Sequence, residues 1–576
     1  MSATLLFCIC LAYFALAYFV YGGFLKKLFA IDPNRPTPAV TEADGIDFVP
    51  TPAPVLFGHH FASIAGPGPI VGPIMAAYFG WLPALIWILV GCVFVGAFHD
   101  FASLVISLRN KGRSVSFVME KMMGFTGRQL FLSFCLLCLL LVVAIFTLLI
   151  AGLFTAFPEV ATSSIFFIIL APLFSLVTLK FGVSLKIASC VFIPLVFFGV
   201  YLGQLFPCDL KELFDALKVL FDATADAAQV TADVKAIWIA VLALYIFAAS
   251  VMPVQWLLQP RDYMNSWLLY AMLALGFASI LAFQPDIKME AFTGFEAVTG
   301  DGKMTNLVPA LFIFIACGAC SGFHALVASG TTSKQLDNEK HALPIGYGAM
   351  LIEGVLGIMA LVAVMSMDHS VFVDLGKNPP KAFATGISGF CAALGLNVQY
   401  AMTFISLAIS AFMMTSLDTA TRLGRFICQE LFMPRAKGED QVVDVKAINP
   451  LRKVLLNKYV ASAIIVLASV FLATSGEAPA LWPIFGASNQ LMSAITLLVI
   501  SLWLLSRNVN WLVAFIPMVF MTVMSLWGVI QVVQQQWNSN GVLVGIGLVL
   551  VVMDVLMVII GISVISHHFK KAFSKQ

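Results

Sequence analysis

Two adjacent histidines, His59 and His60, stand in the run Gly58-His59-His60-Phe61-Ala62-Ser63-Ile64-Ala65-Gly66-Pro67-Gly68-Pro69-Ile70-Val71-Gly72-Pro73. Imidazole titrates near neutral pH, so these side chains either exchange protons, lend a cationic contact, or brace the start of a helix. The prolines each lack an N–H and crowd the turn before them, so a helix through this run must break. At such a break one half-helix presents its positive end, where a carboxylate could rest on N–H groups near Gly66, Gly68 and Ile70, with Ser63 on the same segment. Prolines 67, 69 and 73 have no N–H to offer. A second proline-containing segment reads Val251-Met252-Pro253-Val254-Gln255-Trp256-Leu257-Leu258-Gln259-Pro260-Arg261-Asp262. There Gln255 and Trp256 would line an opposing wall with one hydrogen bond and one apolar face, or only pack at an interface.

Other ionisable groups lie in apolar surroundings, where burial is costly and a function is the default expectation. His99 and Asp100 are neighbours, so on a helix they face different directions; they form either a structural network with Arg109 or a proton relay. Lys186 is either a titrating ammonium or a side chain that snorkels to the membrane edge. His324, Glu353 and Asp554 stand alone in the sequence, and Asp418 precedes Arg422 by four residues, the spacing of an ion pair on one helix face. Cys135 with Cys138 and Cys317 with Cys320 have C-x-x-C spacing but lie in apolar helix without a second pair, so no metal site and no disulfide is expected. A Gly-rich phosphate loop, an H-E-x-x-H pair and a nucleophile elbow are all missing, so neither an enzyme nor a cofactor is expected.

The elements that position these residues follow from composition. Hydrophobic residues make up 61% and charged residues 11% of the 576, with mean hydropathy +0.98, which no soluble core accounts for. The net charge of +2 gives no reason to expect nucleic acid. About fifteen apolar stretches approach the length of about 20 residues that spans a bilayer, so the partner is lipid and the class is an all-α integral membrane protein. Lys26 and Lys27 follow the first stretch, and Lys and Arg gather on alternate loops, which puts the N-terminus outside and Lys570, Lys571 and Lys575 in the cytoplasm. The acidic connection with Asp209, Glu212, Asp215, Asp222, Asp226 and Asp233 then falls outside.

Helix breaks at membrane depth are tolerated only against protein or a wet cavity. The two proline segments begin an odd number of helices apart, so the second enters the membrane in the opposite sense. Paired interrupted segments of this kind point to the midplane site of a secondary transporter built on inverted repeats. The expected organisation is an N-terminal extra helix (1–30), a first five-helix repeat (57–206, broken helix 57–79), a second inverted repeat (236–420, broken helix 236–258), a cytoplasmic loop (421–456) and four C-terminal helices (457–566). That loop is too small for an ATPase domain.

The run from Phe57 to Pro73, with Ala97-Phe98-His99-Asp100-Phe101-Ala102 and Arg109-Asn110-Lys111-Gly112-Arg113-Ser114, closely resembles the carbon starvation protein A family. So do Gln259-Pro260-Arg261-Asp262-Tyr263, Cys317-Gly318-Ala319-Cys320-Ser321-Gly322-Phe323-His324 and Phe485-Gly486-Ala487-Ser488-Asn489-Gln490-Leu491. The resemblance covers nearly the whole chain. It implies a bacterial inner-membrane uptake protein of starved cells, with pyruvate as solute in some members and peptides proposed for others. It also implies membership of the amino acid, polyamine and organocation superfamily, with a five-plus-five, leucine-transporter-like core. In that frame the helix near 307–328 is the eighth of the core. Backbone at Ala62 and Ala65 with Cys317 and Ser321 would then frame a sodium position, unless Lys186 fills that space and the coupling ion is a proton. The expected function is uptake of pyruvate or a related small carboxylate by proton symport, with peptide uptake or nutrient sensing as alternatives.

Overall fold

The computed structural model describes residues 2–45, 48–212, 227–253, 256–300, 302–433, 449–475 and 478–573. The fold is all-α, as expected. Twelve of the described helices are long and apolar enough to cross a membrane, among them Ala3–Leu28, Trp81–Arg109, Val115–Ala156, Glu339–Met365, Val398–Phe432 and Leu481–Ser506. Large side chains such as Leu16, Phe19, Leu244 and Ile562 stand exposed on outer helices, a surface suited to acyl chains. The central part of Leu481–Ser506, by contrast, is wholly buried, so this helix lies in the middle of the bundle. Helix Val115–Ala156 packs along Val398–Phe432 and bends at Gly124, whose φ of 79° belongs to the left-handed region that glycine adopts without strain. Much of the acidic connection (213–226), most of the cytoplasmic loop (434–448), Gln255 and Lys575 lie outside the described residues.

The proline-rich run does interrupt a helix. Ala53–Ile64 ends there, and Gly68–Ala76 begins after a non-helical Ala65 at ψ 67°. The second break lies elsewhere than expected. Helix Ala227–Val251 runs without interruption for a full span, and Pro253 falls in the connection to the next full-length helix, Leu258–Phe283. Pro260 occupies the first turn of that helix, where its missing N–H has no intrahelical partner to lose. The element that breaks is the one near 307–328: Leu307–Phe314 stops and Gly322–Gly330 restarts, with 315–321 between. The first half of each interrupted helix packs against the second half of the other, so the two run antiparallel.

Their approach is close. At Gly68 an added Cβ would overlap the Cys317 side chain, and at Gly72 it would strike the Phe314 carbonyl. Gly68→Ala is therefore expected to cost about 1–3 kcal/mol of stability through overpacking. Cys317→Gly in the same chain should recover part of it, a difference measurable by thermal unfolding of the purified protein.

Candidate functional site

An interrupted helix exposes carbonyls at the end of its first half and N–H groups at the start of its second. Around the first break, Ser416 Oγ of Val398–Phe432 donates to the Ser63 carbonyl at 3.2 Å, and the Gly66 N–H bonds the Ile64 carbonyl at 2.7 Å. Around the second, the donors come from the buried helix Leu481–Ser506: Gln490 Nε2 bonds the Phe312 carbonyl, and Trp482 Nε1 the Phe314 carbonyl at 3.4 Å. Asn489 works both ways. Its Oδ1 accepts the Phe323 N–H at 3.0 Å, and its Nδ2 donates to Ser321 Oγ at 2.9 Å and to Cys317 Sγ at 3.3 Å. The carbonyl ends of both half-helices are thus capped, while the positive ends of Gly68–Ala76 and Gly322–Gly330 converge on the crossing.

A small hollow opens where the breaks meet. Ile64 and Gly66 come from the first break, and Cys317, Phe323 and His324 from the second. Ser416 and Asn489 add polar atoms from flanking helices, and Val142, Phe146 and Phe485 complete an apolar wall. There is room for little more than about one water. Even a three-carbon acid needs the half-helices to separate before it enters.

The expected site residues divide. Gly66 and Cys317 line the hollow, and Ser321 sits at its edge through Asn489. Ala62, Ser63, Ala65, Gly68 and Ile70 are buried in the first interrupted helix but do not line it. Two of the three N–H groups expected to hold a carboxylate are spent locally, Gly66 on the Ile64 carbonyl at 2.7 Å and Ile70 on the Pro67 carbonyl at 3.1 Å. Neither histidine of the pair reaches the hollow: His60 Nδ1 bonds Thr332 Oγ1 at 2.8 Å, and His59 Nδ1 lies 3.0 Å from Asp262. Trp256 is 38% exposed, too far into the open for a binding wall. Lys186 is exposed in the first turn of Leu185–Leu205, which suits a snorkelling lysine and not a buried ammonium.

Two groups of charged side chains are drawn together that the sequence left apart. His99 and Asp100, expected to face different ways, touch each other, with Nδ1 2.8 Å from Oδ1. The other Asp100 oxygen meets His324 Nδ1 at 2.8 Å, and His324 Nε2 lies 3.6 Å from Glu353. Arg109 takes no part, since it pairs with Glu339 at 2.6 Å and bonds the Phe29 and Ala30 carbonyls. In the second group Asp418 pairs with Arg261, not with Arg422 one turn on, and Tyr245 bonds the same carboxylate at 2.7 Å. Arg422 turns instead to the Met252 carbonyl, gripping the connection that carries Pro253. Asp554 remains buried, with neither oxygen hydrogen-bonded.

Asn489, Gln490 and Ser416 were missed as site residues. The signal was there for the first two: adjacent amides inside a span otherwise rich in Leu and Ile.

A family model described as "Carbon starvation protein CstA" matches residues 2–382 and 375–528. "Peptide transporter CstA" of Escherichia coli (strain K12) is 33% identical, over 89% of this chain and 78% of that protein. "Peptide transporter CstA" of Bacillus subtilis (strain 168) is 32% identical, over 84% and 82%. "Pyruvate/proton symporter BtsT" of Escherichia coli (strain K12) is 30% identical, over 89% and 79%. Among solved structures, a manganese transporter of Eremococcus coleocola aligns over 92% of this chain and 99% of its own, at TM-score 0.44 and 13% identity.

Proposed function

We propose, because this chain belongs to the carbon starvation protein CstA family, that it is a secondary transporter importing a small carboxylate of the pyruvate class together with a proton. The solute sits where the interrupted helices 53–79 and 307–330 cross. This pair takes the place of the 57–79 and 236–258 pairing as the centre of an inverted repeat, in a chain of about fifteen crossings. The N-terminus lies outside a bacterial inner membrane and the C-terminus in the cytoplasm, in keeping with the Lys and Arg bias of the loops.

One observation carries the carboxylate reading. Carbonyls freed by the two breaks are capped by Ser416, the Gly66 N–H, Gln490 and Trp482, so the field left at the hollow is that of two positive half-helix ends. A carboxylate fits that field once the Ser416 hydroxyl turns to it from the Ser63 carbonyl and an Asn489 amide N–H from Cys317. A bare cation such as sodium does not. The near-closed hollow also favours a small solute over a peptide, since a dipeptide needs a much larger separation of the half-helices. Peptide uptake is the second reading, supported by the names of several relatives.

Counterflow separates the two. Proteoliposomes preloaded with unlabelled pyruvate are expected to take up external labelled pyruvate transiently, with unlabelled pyruvate a strong competitor and dialanine a weak one. No pyruvate counterflow, with labelled dialanine exchanged into dialanine-loaded vesicles, would transfer the assignment to peptides.

A further inference from the structure

We propose that His99, Asp100, His324 and Glu353 form the proton-carrying site of this chain, placed beside the solute hollow; the proposal rests on the transport reading above and names its coupling residues. All four side chains are fully buried. They come from three elements: His99 and Asp100 from Trp81–Arg109, Glu353 from Glu339–Met365, and His324 from the first turn of the half-helix that restarts at Gly322.

Proton bookkeeping gives the cluster its character. An ionised carboxylate only accepts, so both imidazoles turn an Nδ1–H toward Asp100. That leaves His324 Nε2 facing Glu353 Oε2 at 3.6 Å, where neither has a hydrogen bond, and the second Glu353 oxygen has none either. Unpartnered polar atoms this deep are rare and call for a reason. One added proton supplies it: on Nε2 it makes an imidazolium beside a carboxylate, and on Glu353 a carboxylic acid that donates to Nε2. Without it, two ionised carboxylates share a dry interior with neutral imidazoles only. Among the described residues no arginine or lysine forms an ion pair with either carboxylate. The further titratable neighbours are His60 of Ala53–Ile64, Cys92 of the turn Cys92–Gly96, and Cys317 and Cys320 of the second break. Among the described residues no three His, Cys, Asp or Glu side chains could together hold a metal ion.

The link to the solute is His324, whose ring is a wall of the hollow and a member of the cluster at once. An anion in the hollow favours the protonated pair, and the protonated pair favours the anion, which is the reciprocity that symport requires. Movement of Gly322–Gly330 against the other two helices changes the His324 to Glu353 separation and so releases the proton. One proton and one carboxylate cross together, with no net charge moved.

Glu353 does not line the hollow, so Glu353→Gln separates binding from coupling. In proteoliposomes the wild type is expected to accumulate labelled pyruvate by up to about tenfold per unit of imposed pH gradient, and pyruvate addition should move protons reported by an internal pH dye. Glu353→Gln should keep pyruvate counterflow, which needs no net proton transfer, while accumulation falls to about onefold and the dye signal disappears. Glu353→Asp, which restores the proton, should recover both signals in part. Undiminished accumulation in Glu353→Gln overturns the proposal, as does loss of accumulation that Glu353→Asp fails to restore. Net pyruvate uptake by the wild type without proton movement overturns the proton site and leaves the carboxylate site standing. Proton movement evoked by dialanine and not by pyruvate overturns the carboxylate reading and leaves the proton site standing, to be checked with Glu353→Gln and dialanine.

Discussion

Asp418→Leu is expected to destabilise the protein by about 3–5 kcal/mol, because it strands a guanidinium that is itself fully buried. Arg261 is 0% exposed, its ion-pair partner is the Asp418 carboxylate, and it also meets the Tyr245 hydroxyl, the Ala411 carbonyl and the rings of Tyr245 and Phe167, while the adjacent Asp262 is held by His59. None of those can replace the lost charge. Removing both members behaves differently. Arg261→Met with Asp418→Leu eliminates the unpaired charge and fills similar volume, so most of the stability should return. Transport should not, because the pair joins Leu258–Phe283 to Val398–Phe432 next to the His59–Asp262 contact that fastens Leu258–Phe283 to the first interrupted helix. Arg422, one turn beyond Asp418, bonds the Met252 carbonyl in the connection that leads into Leu258–Phe283. Thermal unfolding and uptake measured on the single and double variants decide this. A stable double variant with normal uptake would show the pair to be packing alone.

Asn489→Ala carries the second large effect. It removes at one stroke the acceptor of the Phe323 N–H and the donor to Ser321 and Cys317, all of them buried. Leaving one such group unsatisfied costs about 1–3 kcal/mol, so apparent affinity for pyruvate should weaken by roughly tenfold to a hundredfold. Asn489→Asp keeps the acceptor for Phe323 but sets a negative charge against an incoming carboxylate, and it should weaken pyruvate at least as much. Counterflow titrated with pyruvate reads both. An Asn489→Asp variant with unaltered affinity would place the solute away from the crossing.

The first interrupted helix was legible because proline signals locally: Pro67, Pro69 and Pro73 lack N–H groups whatever surrounds them. The same signal misled at Pro253 and Pro260, which mark a connection and a first turn between two full-length helices. The true second break, 315–321, has no proline. It stays open because Trp482, Asn489 and Gln490, more than 160 residues later, satisfy the backbone it frees, and that tertiary cause leaves only a faint mark in the small residues Gly318, Ser321 and Gly322. The histidines divide for a related reason. His59 and His60 drew notice by standing beside the prolines, yet His324 is the one that reaches the hollow, as the first turn after an unrecognised break. Its partners Asp100 and Glu353 lie far away along the chain, so the cluster exists only once the helices are packed.

The transport device proposed for this chain is a pair of crossed, interrupted helices that holds a small carboxylate and moves it with a proton. Its most direct test is labelled pyruvate uptake into proteoliposomes of the purified chain, under an imposed pH gradient and then under a sodium gradient of equal size. Accumulation is expected from the acid exterior alone, with no response to sodium. Accumulation driven by sodium at uniform pH, or no pyruvate accumulation under either gradient, would contradict it.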